Sequence, residues 1–154
     1  MPELVNDASC HRAIEQACDA CEAELQARPE VGMTWRVVFP RLELSGIASV
    51  SGSLWVFAFA PHGRSEIHKH SNSTQYTRAW RGQGTMRIGD PAQPADIYLP
   101  RAAEPDWVVI PMGVFHEAVA GADGWCVVSF QTVPAAELQE EPVAGAARHY
   151  AGEQ

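Results

Sequence analysis

The chain has 154 residues, 46% of them hydrophobic, and a net charge of −8 from 11 basic and 19 acidic side chains. That is about one domain's length, with enough apolar surface to bury a core without disulfides and too much for a disordered chain. The acidic balance repels phosphate backbones and anionic lipid surfaces, which excludes nucleic acid and membranes as expected partners.

Residues 9–28 place Cys10, Ile14, Ala17, Cys18, Cys21 and Leu25 at three-to-four spacing, the stripe of an amphipathic helix. Asp7 or Ser9 can cap its start and Pro29 ends it. Cys18-Asp19-Ala20-Cys21 follows no strand and has no second cysteine pair, so the four cysteines are read as buried, reduced residues. Residues 1–30 contain no continuous apolar run of the secretory kind, and the longest run, Leu54 to Pro61, is well short of the ~20 residues of a bilayer span. A cytoplasmic location is expected.

From Thr34 the period shortens to two. Trp35–Phe39, Ser53–Ala60, Ile67–His70, Gln75–Trp80, Thr85–Ile88, Asp96–Leu99, Trp107–Ile110 and Trp125–Thr132 read as short strands of a sandwich or barrel. Turn signals lie at Pro61-His62-Gly63, Arg81-Gly82-Gln83-Gly84, Gly89-Asp90-Pro91, Pro111-Met112-Gly113 and Gly121-Ala122-Asp123-Gly124, and each is expected to reverse the chain. After Pro134 no period is sustained, which predicts a short helix or a tail over 134–154. The organisation expected is one domain over 1–154, with a helix over 9–28 outside a barrel over 34–133.

The chemistry-bearing stretch is Ile67-His68-Lys69-His70. Side chains two apart on a strand share a face, so His68 and His70 can approach one metal ion, and His116, after the Pro111-x-Gly113 turn, is the third arm. His11, His62 and His149 have no such partner and are read as structural. Imidazole suits Fe, Zn, Cu, Ni and, less well, Mn, and three neutral ligands leave positions for water or substrate.

Gly63-Arg64-Ser65-Glu66-Ile67-His68-Lys69-His70, followed by Gln75 and Gly82, resembles the first motif of the cupin superfamily, with Gln where cupins carry Glu. Pro111-Met112-Gly113-Val114-Phe115-His116 resembles the second motif, with Ala120 in place of its last Asn. The resemblance implies an all-β, cupin-type jelly-roll barrel and makes His68, His70, His116 and Gln75 the expected metal positions. Gln75 would ligate through its carbonyl or orient a metal-bound water. Three histidines without the Glu resemble the three-histidine iron dioxygenases among cupins, and Gly63-x-Ser65-x-Ile67-His68-x-His70-Ser71-Asn72-Ser73 is similar to thiol dioxygenases. The late-strand His and Tyr of those enzymes are here Ser129 and Gln131. Cupin lyases of the hydroxynitrile-lyase-like kind, which pair three His with Gln, fit the same residues.

Alternation puts Gln75, Thr77 and Ala79 on the cavity side and Tyr76, Arg78 and Trp80 on the other side or the rim. The expected pocket comprises Trp55, Phe57, Thr77, Trp107, Phe115 and Gln131, with Arg78 and Arg81 as the cations that could reach a substrate carboxylate. The functional expectation is a mononuclear non-haem Fe(II) dioxygenase acting on a small organic molecule with O2. The alternatives are a non-redox lyase or isomerase using Zn, Mn or Ni, and a non-catalytic metal- or ligand-binding cupin. A homodimer is expected.

Overall fold

The computed structural model describes residues 7–43, 51–101 and 107–144, together with the backbone of 148–149. Helix α1 spans Ala8–Ala27, and the Asp7 carboxylate caps it by accepting from Ser9 N at 3.0 Å and Cys10 N at 3.1 Å. Its buried stripe is Cys10, Ile14, Cys18, Cys21 and Leu25, the residues the spacing picks out. A 3-10 turn, Pro29–Val31, leads into the strands.

The strands are β1 Met33–Glu43, β2 Ser51–Phe59, β3 His68–Lys69, β4 Gln75–Ile88, β5 Ala95–Pro100, β6 Val108–Ile110, β7 His116–Gln131, β8 Gln139–Pro142 and β9 Arg148–His149. All the pairings are antiparallel, and β7 is the hub, pairing with β2, β3 and β4. The result is a curled sheet with α1 on its outside, the all-β fold expected.

Two of the five turn signals do not reverse the chain. Arg81–Gly84 lies inside β4 and Gly121–Gly124 inside β7, and the two face each other where the ladder shifts register. Gly82 has φ +71° and Gly124 φ +79°, and a Cβ on Gly82 would meet the Gly124 carbonyl oxygen at 2.5 Å. Paired glycines therefore let two long strands bend together, which curls the sheet instead of ending it.

Alternation sorts the side chains into layers. Leu54, Val56 and Ala58 of β2, Trp80 of β4 and Cys126, Val128 and Phe130 of β7 pack outward against the α1 stripe. Phe59, Ala79, Met86, Trp125 and Val127 face inward. Polar contacts hold the helix in place: Arg81 meets Glu15, Asp19 and Glu22, Trp80 Nε1 donates to Glu15 at 2.8 Å, and Arg36 pairs with Glu24 at 2.7 Å. The four cysteines are buried and unlinked, and burial pushes the Cys21 thiol up to about 11. No described helix is long and apolar enough to cross a membrane.

The segment after Pro134, expected as a short helix or tail, contains a 3-10 turn, Ala135–Glu137, and then β8, which pairs with β3. Three side-chain contacts anchor it: Ser71 Oγ donates to Gln139 Oε1 at 2.9 Å, Asn72 Nδ2 donates to the Glu137 carbonyl at 2.6 Å, and Asn72 Oδ1 accepts from Gln139 N at 3.1 Å. Because these partners lie over sixty residues away, no local pattern announces the strand.

Candidate metal centre

β3 is short, but it sits between β7 and β8, with His68 opposite both His116 and Pro142. That register brings the His-x-His pair against the histidine that opens β7. The imidazole ring centroids lie 4.3 Å apart for His68 and His116, 5.1 Å for His68 and His70, and 5.2 Å for His70 and His116. One ligand atom from each falls within 4.8 Å of the others, the arrangement of residues that could hold a metal ion.

The tautomers decide which nitrogens are available. Nδ1 of His68 faces the Glu66 carbonyl at 2.8 Å, Nδ1 of His70 the Gln139 carbonyl at 2.9 Å, and Nδ1 of His116 the Val114 carbonyl at 3.1 Å. A carbonyl can only accept, so each Nδ1 carries a proton, and in the neutral ring it is Nε2 that keeps the lone pair. His116 is 2% exposed, and its Nε2 has no hydrogen-bond partner. Burial, followed by the neighbouring His68, pushes the His70 imidazole down to about 4, and the same causes hold His116 well below the usual histidine range. Three imidazoles whose Nδ1 atoms are already engaged, two of them held neutral by burial and one with a buried orphan Nε2, fit a divalent ion.

Gln75 and Thr77 of β4 lie in the cavity wall, as alternation predicts. A one-way hydrogen-bond chain fixes Gln75. Ser73 Oγ donates to Gln131 Oε1 at 2.7 Å, Gln131 Nε2 to Gln75 Oε1 at 3.0 Å, and Gln75 Nε2 to Ser129 Oγ at 3.3 Å. Thr77 closes the chain, 2.9 Å from Ser129 and donating to the Val128 carbonyl at 3.2 Å. Gln75 lies beside His70, where it works slightly against the fall of that imidazole's pKa. Gln131 thus reaches the site through Gln75 and is not itself part of the cavity wall.

The cavity has a volume of about 420 Å³. Phe57 lines it together with Met33, Trp35, Phe59, Met86, Val127 and Leu138, so most of the wall is apolar. Trp55 faces the same way but packs beyond the cavity, on Ala135 and Leu138. The remaining expected pocket residues lie elsewhere. Arg78 is on the outer face with its guanidinium 5.4 Å from the Trp80 ring centroid and 5.2 Å from that of Trp107, which takes Trp107 to the outer layer too. Arg81 is engaged by the helix carboxylates, and the Phe115 ring lies under Lys69 Nζ at 5.0 Å. Two strand residues one apart point to opposite faces, so sharing a strand with Gln75 carries Arg78 away from the site.

Sequence reasoning missed three charged residues, of which Glu66 lies exposed beside Arg64 at the mouth. Arg64 lines the mouth, where it is exposed and paired with the buried Glu117, and it is the only Lys or Arg among the described cavity residues. Glu140 of β8 lies in the wall, 2% exposed, with Oε2 3.6 Å from His68 Nε2. Arg64 sits inside the first motif and was open to recognition from it. Glu140 carried no signal, because its segment has no period.

No protein-family model matches the chain, and no curated protein matches it. Solved structures do. The coconut allergen cocosin aligns at 17% identity and a TM-score of 0.53, over 61% of this chain and 24% of its own. Pumpkin seed globulin aligns at 20% and 0.53, over 61% and 24%. A recombinant oxalate oxidase in complex with glycolate aligns at 20% and 0.51, over 66% and 51%. The chain therefore spans about a quarter to a half of the length of these proteins. The fold is of the cupin type. An allergen, a seed globulin and an oxidase share it, so the fold does not assign an activity.

Proposed function

We propose that the protein is a mononuclear metal-dependent enzyme in which His68, His70 and His116 hold one divalent ion at the polar end of the cavity, with Fe(II)-dependent dioxygenation of a small organic molecule as its reaction. The observation that carries this reading is the tautomer set, in which every Nδ1 faces a backbone carbonyl and every Nε2 is left for the ion. Bound Fe(II) would supply Lewis acidity and a site for O2 activation.

The chain's own residues supply selection and orientation. The wall of Met33, Trp35, Phe57, Phe59 and Val127 takes the apolar body of a substrate and limits water. Gln75, fixed by Gln131 and Ser129, stands beside His70 to orient a metal-bound water or ligand. Entry is beside the exposed Arg64 and Glu66, on the His68 side, where the wall meets solvent. An open mouth favours turnover over a sealed binding site.

The test is metal analysis of the purified protein followed by oxygen-uptake assays over diketones, thiols and phenols. One ion per chain and oxygen consumption lost in His68→Ala and His116→Ala are expected. Turnover under strict anaerobiosis with Zn or Mn would replace this reading with the lyase or isomerase one, and no metal bound by the native protein would end both.

A further inference from the structure

The outer face of β4 carries a cation that the fold leaves without an anion. Of the half-buried cations among the described residues, Arg36, Lys69, Arg81 and Arg87 each meet a carboxylate, on Glu24, Glu141, Glu15 and Asp96 respectively. Arg78 meets none among those residues. Its guanidinium carbon lies 5.4 Å from the Trp80 ring centroid and 5.2 Å from that of Trp107. Aromatic faces attract a cation but are weak hydrogen-bond acceptors, so they offset the charge without satisfying the donors.

Those donors are unmatched. Arg78 Nε is buried with no hydrogen-bond partner, and so is Trp107 Nε1. The two Nη nitrogens of Arg78 have no partner among the described residues either, and they are not buried. Burial alone pushes the Arg78 guanidinium down from the usual arginine range, the direction of a charge with no opposite charge near it. At Arg81 burial acts the same way, but Glu15 and Asp19 outweigh it and hold the group up.

The surroundings are fixed by three elements. Arg78 stands on the β4 ladder opposite Val128 of β7. Trp80 is held by its Nε1 bond to Glu15 at 2.8 Å, with the His11 ring of α1 against it at 4.9 Å between centroids. Trp107 precedes β6, which pairs with β4 at Tyr76 and Thr77. The side chain is therefore framed before any ligand arrives, and little order is lost on binding. Its neighbours Thr77 and Ala79 face inward, so Arg78 and the histidine cluster lie on opposite sides of the sheet.

We propose that Arg78, framed by Trp80 and Trp107, is a binding site for a small oxyanion, a carboxylate or a phosphate, taken by the open Nη groups on the outer face of the barrel. The ligand class follows from the unmatched atoms. All are donors and the charge is positive, so the partner must accept only and be anionic. Carboxylate and phosphate do both, and each takes two parallel N–H bonds from one guanidinium. The net charge of −8 draws no anion toward the protein at long range, so the attraction is local to Arg78.

The experiment follows the Arg78 Nε–H and Trp107 indole N–H signals of the full-length, isotope-labelled protein by NMR, assigned with Arg78→Lys and Trp107→Phe. Sodium phosphate and sodium acetate are titrated separately at an ionic strength held constant with chloride. Both signals should move together and saturate in the wild type. Arg78→Gln should abolish the Trp107 response, and Arg78→Lys, which keeps the charge without the two-pronged geometry, should weaken it about tenfold. The saturating anion should also raise the melting temperature of the wild type and leave that of Arg78→Gln unmoved. The tighter of the two anions identifies the ligand class. No saturable shift with either anion would overturn the proposal and leave Arg78 a structural cation between rings. A Trp107 response that survives Arg78→Gln, or a shift confined to the ring signals of His68, His70 and His116, would also overturn it. If Arg78→Gln does not fold, Arg78→Lys decides, and wild-type affinity in that variant overturns the proposal.

Discussion

The metal-free protein should lose stability as the pH falls from 6.5 toward 4. Burial lowers the folded-state pKa of His70 from an ordinary 6.5 to about 4, and that of His116 falls in the same direction. Between these values the unfolded chain takes up a proton that the folded chain refuses, so the neutral-ring stability is complete above 6.5 and is lost on acidification. One pKa unit is worth about 1.4 kcal/mol, so His70 alone accounts for a loss on the order of 2 kcal/mol by pH 5 and about 3 kcal/mol by pH 4, where its contribution levels off. His116 adds to this. Urea unfolding of the metal-free protein at intervals from pH 7.5 to 5 measures the effect above the range in which most carboxylates titrate. His70→Gln should flatten the profile by about 2 kcal/mol over that interval. Saturating divalent metal should steepen the wild-type profile, because the ion binds only neutral rings. Equal slopes for wild type and His70→Gln would refute the reasoning that burial holds His70 neutral.

Other perturbations separate the layers of the fold. Arg81→Ala removes the guanidinium that Glu15, Asp19 and Glu22 share, and should cost about 1–2 kcal/mol in thermal unfolding while bound metal stays at the wild-type stoichiometry. Gly82→Ala forces a Cβ onto a backbone at φ +71° and against the Gly124 carbonyl, and should destabilise by about 2 kcal/mol or more. At Gly89, with φ +112° and nothing within 4 Å, alanine meets backbone strain without the clash, so its melting temperature should fall less. Gln131→Leu strips partners from the Ser73 hydroxyl and the Gln75 carbonyl, with an expected cost of about 1–3 kcal/mol in urea and roughly tenfold weaker metal binding by chelator competition.

The alternation at Gln75–Trp80 was enough to assign that strand's inner and outer faces, because a strand's period of two is a local property of the backbone. It places Gln75 and Thr77 on the cavity side, where the structure has them, and Trp80 on the other side or the rim, where the structure packs it under the helix. The same rule also argued against Arg78, one residue from Thr77, as a cavity cation. Glycine-rich stretches were less legible. Arg81–Gly84 and Gly121–Gly124 have turn composition, yet each lies within a strand because it faces the other across the ladder.

The sequence by itself determined the outer helix, the strand-rich barrel and the three histidines, since each is written in the spacing of neighbouring residues. Only the tertiary structure decided what surrounds those histidines. His68 meets Glu140 from 72 positions away, Arg81 is held by a helix some sixty residues earlier, and the tautomer of His70 is set by a carbonyl of β8. Such contacts depend on where the curled sheet closes and which strands pair there, and residues that meet through closure share no pattern along the chain.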